Sequence, residues 1–203
     1  MRRDRIELVY RDINFLAFCK HLSYYRNGSH FGGHPKKGSH DLITWSTGSL
    51  GHGLGVAAGF HISQNPNYKT YVILGDGECF EGSIWEALNI ISNLKLFNII
   101  PVIDYNNRTI LGDLNETYTD YNLSKKIEGF GFKPFIINGH DFSEIDNSIK
   151  NISSSNENCV LFMKTIKGKG IKMMESSHLW HNKMPNSSEF HTILEKFESQ
   201  FAK

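Results

Sequence analysis

Four short, unbroken apolar runs, each separated from the next by a stretch of helical spacing, constrain this chain more than any other feature. They are TYVIL (70–74), NIIPVID (98–104), FKPFIIN (132–138) and CVLFMKT (159–165). A strand with one wet face alternates apolar and polar residues. These runs do not alternate, so each is expected to be covered on both faces. Between them, Glu81 to Leu94 places Ile84, Trp85, Leu88, Ile90 and Ile91 along one side of a helix. Leu123 to Phe130 gives a shorter helix, and DFSEIDNSIKNIS (141–153) gives another that opens on Asp141, a preferred N-cap residue. Alternating strands and helices of this kind predict an α/β fold, a parallel β-sheet flanked by helices on both faces.

The flanking segments read less regularly. Ile6, Val9, Ile13, Leu16, Ala17 and Leu22 predict a helix over roughly Arg5 to Arg26. The Gly-, His- and Ser-rich stretch from Asn27 to Asp41 is loop, and a helix of small residues begins near Leu50. The tail from Ser187 is an amphipathic helix. With 203 residues, no internal repeat and no sign of a second domain, residues 1–203 read as one domain. A formal net charge of +1 offers no basic surplus for nucleic acid or an anionic membrane. No apolar run approaches the roughly 20 residues that span a bilayer. Cys19, Cys79 and Cys159 are an odd set without paired spacing, so free thiols and a cytoplasmic location are expected.

Chemistry enters where the strands end. The first run stops at Gly75-Asp76-Gly77, and the second runs into Asp104-Tyr105-Asn106-Asn107. In a βαβ unit, neighbouring parallel strands finish on one edge of the sheet, where ligands of such folds bind. Asp76 and Asn106 are one crossover apart and can converge on one point. Gly75 and Gly77 admit a close ligand, and a helix after Gly77 would aim free N–H groups at it. An acid, an amide and a backbone carbonyl form an all-oxygen half-shell, which suits Mg²⁺ that takes its other oxygens from phosphate and water. A diphosphate held through a divalent ion is one reading. The plainer one is a tight Gly-Asp-Gly turn and an Asn-Asn loop cap. Asp76 is expected to face solvent in either case.

These residues resemble the transketolase family. GDGECFEG…WEA…DYNN is similar to its thiamine diphosphate motif, and GGHPKKG…STGSLGHGLGVAAGF is similar to its GHP…STGSLGQGL segment. GFGFKPFIINGHDFSEI and TIKGKG…WHNKMPNSSEF resemble two later segments, so the likeness runs in order from about Asn27 to Phe201. The resemblance implies the diphosphate-binding (PP) module of the thiamine diphosphate-binding fold. Asp76 and Asn106 would then ligate Mg²⁺ or Ca²⁺ through their side chains, and Arg108 through its carbonyl. Gly75, Gly77 and Glu78 would line the diphosphate, and Gly48 and Leu50 the cofactor rings. His181 would face diphosphate and substrate, His34 would bond the substrate near its reacting carbonyl, and Glu81 would join an interfacial carboxylate network. Each has a plain rival: a solvated loop histidine for His34, packing beside Trp180 for His181, a first-turn acid for Glu81 and a solvated basic turn for Lys167 and Lys169.

The resemblance also implies a partner. In that family the cofactor is activated by a glutamate in a separate pyrimidine-binding module, and no second βα module is found here. A C-terminal transketolase subunit carrying that module is expected, in a hetero-oligomer built on a dimer. Together the two would move a two-carbon ketol unit from a ketose phosphate to an aldose. The family's upstream S-G-H-P-G and S-K-G-H segments have no match, so the module is expected to be N-terminally shortened. His52 stands where the family usually has Gln. A non-catalytic thiamine diphosphate-binding remnant is an alternative, as is a chain like those of 1-deoxyxylulose-5-phosphate synthase or the 2-oxo acid dehydrogenases.

Overall fold

A computed structural model describes residue 27 and residues 33–39, 43–117, 122–175, 177–181 and 183–201. The helix expected over Arg5 to Arg26 lies outside the described residues, as does Cys19. The chain divides into two compact units, Met1–Leu50 and Gly51–Lys203.

In the first unit, the described residues form an irregular closed loop. Thr47 N–H donates to Pro35 O at 3.1 Å, and Gly38 N–H to Ile43 O at 3.3 Å. Lys37 N–H donates to the Ser46 hydroxyl at 3.0 Å.

The second unit carries the sheet. Helix α1 (His52–Gln64) leads to β1 (Thr70–Gly75), then a 3-10 turn (Gly77–Phe80), α2 (Gly82–Asn93) and β2 (Ile99–Tyr105). Two-residue strands β3 (Arg108–Thr109) and β4 (Gly112–Asp113) form a small hairpin, followed by α3 (Leu114–Thr117) and α4 (Leu123–Gly129). Then come β5 (Lys133–Asn138), α5 (Phe142–Ser153), β6 (Cys159–Lys164), α6 (Lys172–Glu175), a 3-10 turn (His178–His181) and α7 (Ser187–Phe201). The main sheet has the order β1-β2-β6-β5, and every pairing is parallel.

The predicted strands appear within a residue or two of their predicted ends, but the expectation that each is covered on both faces holds only for the central β2 and β6; β1 and β5 lie at the sheet's edges, where Ile73 is 73 % and Ile136 50 % exposed. Leu74 pairs with Ile103, and Ile103 with Phe162, and all three side chains are at most 2 % exposed. They share one sheet face with Leu54, Ala57 and Ala58 of α1, Ile84, Leu88 and Ile91 of α2, and Leu123 and Ile127 of α4. The other face holds Ile100, Val102, Cys159 and Leu161 under Ile152 of α5. Helices therefore flank both faces. Among the described residues, Cys79 and Cys159 are free and buried, and no helix is long and apolar enough to cross a membrane.

Local signals set the helix ends. Asp141 caps α5 as expected, accepting from Ser143 N–H at 2.8 Å and Glu144 N–H at 3.1 Å. At α7 the cap is Asn186 and not Ser187. Asn186 Oδ1 accepts from Glu189 N–H, and the Glu189 carboxylate accepts from Asn186 N–H, each at 2.9 Å, a reciprocal capping box. One expectation fails here. The helix expected over Glu81 to Leu94 spans Gly82–Asn93, but free N–H groups just after Gly77 are not found: a 3-10 turn comes first, and its first amide is already taken by Asp76.

Ile103 lies between Leu74 and Phe162 at the centre of this sheet. Ile103→Ala is expected to cost about 2–5 kcal/mol in urea unfolding. A loss under about 1 kcal/mol would show that Ile103 is not in the core.

Candidate functional site: the carboxyl edge of β1 and β2

Strands β1 and β2 run out together, with Gly75 opposite Asp104, and Asp76 N–H donates to Asp104 O at 3.2 Å. The next side chain, Asp76, is 1 % exposed, so the expectation that it faces solvent is corrected. The cause is a competition its own backbone wins. Asp76 Oδ1 accepts from Gly77 N–H at 2.8 Å, and Oδ2 accepts from Asn107 N–H at 2.5 Å. One carboxylate thus ties the end of β1 to the loop after β2. Burial raises its carboxyl to about 6. The Asn107 and Gly77 amides oppose that rise, and the Asp104 charge adds to it.

Asn106 follows Asp104 by two residues, which puts both on the same side of an extended chain. Asn106 Nδ2 donates to Asp104 Oδ2 at 3.2 Å, and its Oδ1 accepts from Arg108 N–H at 2.9 Å. The other Asp104 oxygen accepts from the Thr165 hydroxyl, which brings in the end of β6. Asp104 carries no role in the motif reading from sequence. Its signal is there all the same: an acid at a strand end, two positions before an amide already singled out. The Arg108 side chain pairs with Asp113 at 3.0 Å, inside the hairpin, which fits a backbone role toward a ligand.

The glycines divide by cause. A Cβ on Gly77 would sit 2.9 Å from Thr109 Cγ2, so only glycine lets the turn lie against β3. A Cβ on Gly75 would meet nothing closer than 3.9 Å. Glu78 is engaged twice: Oε1 accepts from Gly51 N–H at 2.7 Å, and Oε2 from Gly75 N–H at 3.1 Å. Glu81 is exposed at the N-cap position of α2 and makes no side-chain capping bond. The turn His178–His181 packs beside β3, which carries His181 to this edge. Partial burial, then the Lys167 charge, lowers the His181 imidazole from its ordinary value. His140, not assigned from sequence, accepts from Ile166 N–H through Nε2 at 2.8 Å and so anchors the start of the Lys167 loop.

In the first unit, Gly48 adopts a φ of 112°, and a Cβ there would lie 2.6 Å from His34 Cδ2. His34 and Gly48 are therefore held against each other. Leu50 is 55 % exposed.

The donor set suits a hard divalent ion. Asp76 supplies a buried acid with the half-buried Asp104 beside it, and Asn106 supplies an amide oxygen with a second lone pair. Among the described residues, no three His, Cys, Asp or Glu side chains group as a metal cage. An ion here would draw on amide, carbonyl, phosphate and water oxygens as well.

An open parallel sheet with an acid and an amide converging at adjacent strand ends defines a cofactor-binding α/β module. Residues 16–198 match the family described as "Transketolase, thiamine diphosphate binding domain", and the chain belongs to it. It is 33% identical over 181 residues to one of the subunits of the apulose-4-phosphate transketolase of Actinobacillus succinogenes, covering 88% of this chain and 66% of that one. It is 31% identical over 201 residues to human transketolase, covering 95% of this chain and 31% of that one. The crystal structure of Campylobacter jejuni transketolase superposes with a TM-score of 0.76 at 30% identity, over 87% of this chain and 29% of that one. The chain thus spans about two thirds of the first relative and about a third of the others.

The close approach at Gly77 and the burial of Asp76 can each be tested. Gly77→Ala should destabilise the protein by about 1–3 kcal/mol through overpacking. Thr109→Ser, which removes Cγ2 and keeps the hydroxyl, should restore most of that loss in a double-mutant cycle; strict additivity would contradict the close approach. A carboxyl raised in the folded state holds its proton more tightly there than in the unfolded chain. In chelator-treated protein, Asp76 therefore contributes stability below about pH 4 that is lost as pH rises through about 6, up to about 3 kcal/mol in all. Asp76→Asn should remove that pH-dependent fall in denaturant unfolding, and an unchanged profile would contradict it.

Proposed function

We propose that residues 1–203 act as a single diphosphate-binding module, the N-terminal subunit of a split transketolase. The observation that carries the reading is the Asp76 carboxylate accepting from Asn107 N–H, which ties the end of β1 to the residue beside Asn106, with Asp104 bonded to Asn106. Asp76 and Asn106 would hold Mg²⁺ or Ca²⁺ through side-chain oxygens, and Arg108 through its carbonyl. Desolvation of Asp76 supports this role, since a buried acid with a second acid beside it is eased by a cation. Asp104 and Thr165 would keep the Asn106 amide turned toward the ion.

When bound, thiamine diphosphate supplies a thiazolium carbon able to take up a ketose carbonyl and pass a two-carbon unit to an aldose. The chain's own residues would bind and orient. Gly77, packed against Thr109 of β3, would present its backbone to the diphosphate. His181, whose imidazole is lowered by partial burial and then by Lys167, would donate one hydrogen bond and accept another at the diphosphate or substrate when neutral. His34, Gly48 and Leu50 are assigned, by likeness to the family, to the substrate and ring end, and Glu81 to contacts with a neighbouring subunit.

The Actinobacillus relative is named as one subunit of its transketolase, which supports a separately encoded partner that brings the pyrimidine module. The same name supports a sugar phosphate as substrate class. A hetero-oligomer built on a dimer in the cytoplasm is the assembly this reading expects.

The test mixes the chain with its pyrimidine-module partner, Mg²⁺, thiamine diphosphate, a ketose phosphate and an aldose. Ketol transfer that needs all components is expected. Asp76→Asn should weaken cofactor binding by at least about 100-fold in calorimetry with the fold retained by circular dichroism. Asp76→Ala is the poorer probe, because it also strands the Gly77 and Asn107 amides. Cofactor binding by Asp76→Asn as tight as the parent's would overturn the metal assignment. Tight binding without transfer on any such sugar pair would leave a cofactor-binding module that is not part of a transketolase.

A further inference from the structure

Among the described residues, the Glu78 carboxylate bonds two segments at this edge and is not needed to explain the metal site. Its oxygens accept from Gly51 N–H at 2.7 Å and Gly75 N–H at 3.1 Å. Gly51 begins α1 in a left-handed conformation, φ 81°, and α1 has no side-chain cap of its own. A Cβ on Gly51 would clash with Ser83 Oγ and lie 2.7 Å from Glu81 Cβ. The start of α1 is therefore wedged against the start of α2 and tethered, through Glu78, to the end of β1. By contrast, Asp76 and Asn106 are held by Gly77, Asn107, Arg108 and Asp104, none of which bonds Glu78 in these contacts.

We propose that Glu78 is a positioning residue that sets where α1 begins, at Gly51, relative to the strand end carrying Asp76. This rests on the cofactor reading above and assigns Glu78 a different part from lining the diphosphate. A carboxylate suits the task because it presents two acceptors and no donor to two amides. Glutamine would offer one acceptor and turn an N–H₂ against the other amide. Aspartate keeps the charge but is a methylene too short to reach both.

Two ligands separate the roles. Mg²⁺-pyrophosphate reports only on the ion and diphosphate end. Thiamine diphosphate also reports on the ring end, assigned to Leu50. Calorimetry on the full chain with its pyrimidine-module partner is expected to show that Glu78→Gln weakens thiamine diphosphate by about 10–100-fold. Mg²⁺-pyrophosphate should stay within about threefold of the parent. Glu78→Asp should show the same split to a smaller degree, and it carries the test if Glu78→Gln does not fold. Equal weakening of both ligands would mean a general structural role and overturn the proposal. Tighter pyrophosphate binding in Glu78→Gln would mean the carboxylate lies against the diphosphate, and would overturn it too. Parent-like affinity for both ligands overturns this inference alone. A parent that binds neither ligand overturns the functional reading and this inference with it.

Discussion

The Asp76 carboxylate is the joint on which the site depends. It is nearly sealed from solvent, yet it accepts the Gly77 amide on one side and the Asn107 amide on the other. Those two bonds fix the turn after β1 to the loop after β2, and so decide where Asn106 and Arg108 stand. They also keep a carboxylate in a place where its charge is unfavourable, next to Asp104. An acid kept in such a place by its own backbone is poised to gain from a cation.

Around that joint, side chains and backbone amides link one strand end to the next. Asp104 links β2 to β6 through Thr165 and turns the Asn106 amide. His140 fixes the amide that precedes Lys167, and Lys167 lies close enough to His181 to lower its imidazole. The carboxyl edges of all four strands are thereby connected, with a backbone amide or a short side chain at each step. Such an edge holds donors in place before any ligand arrives, which is what binding a small anionic cofactor through one ion requires.

Much of this was legible in the residues, for identifiable reasons. The four strands were readable because a short apolar run bounded by turn residues needs no knowledge of neighbours, but the run alone did not separate the doubly covered β2 and β6 from β1 and β5, whose Ile73 and Ile136 stay exposed. Asp141 was readable as a cap because capping is local. The burial of Asp76 was not, because it depends on an amide thirty-one residues away that only the folded pairing of β1 and β2 brings near. The 3-10 turn before α2 was hidden for a similar reason: the Asp76 carboxylate, held by the loop after β2, also accepts the Gly77 amide that opens the turn. Ile90 fits the helical spacing yet is 45 % exposed, since periodicity marks a side of the helix but not how far cover extends. The roles of Asp104 and of Glu78 as a tether were missed because their partners are backbone amides and short polar groups, which leave no spacing signature.

If Asp76 and Asn106 share one divalent ion that carries the diphosphate, that ion can be seen directly. The most direct measurement is an anomalous-difference map from crystals of the chain grown with Mn²⁺ and thiamine diphosphate. One strong peak is predicted about 2.0–2.2 Å from both an Asp76 carboxylate oxygen and the Asn106 amide oxygen, with phosphate oxygens completing its shell. A diphosphate seated at this edge with no metal peak between those two side chains, or a peak bound elsewhere, would contradict it.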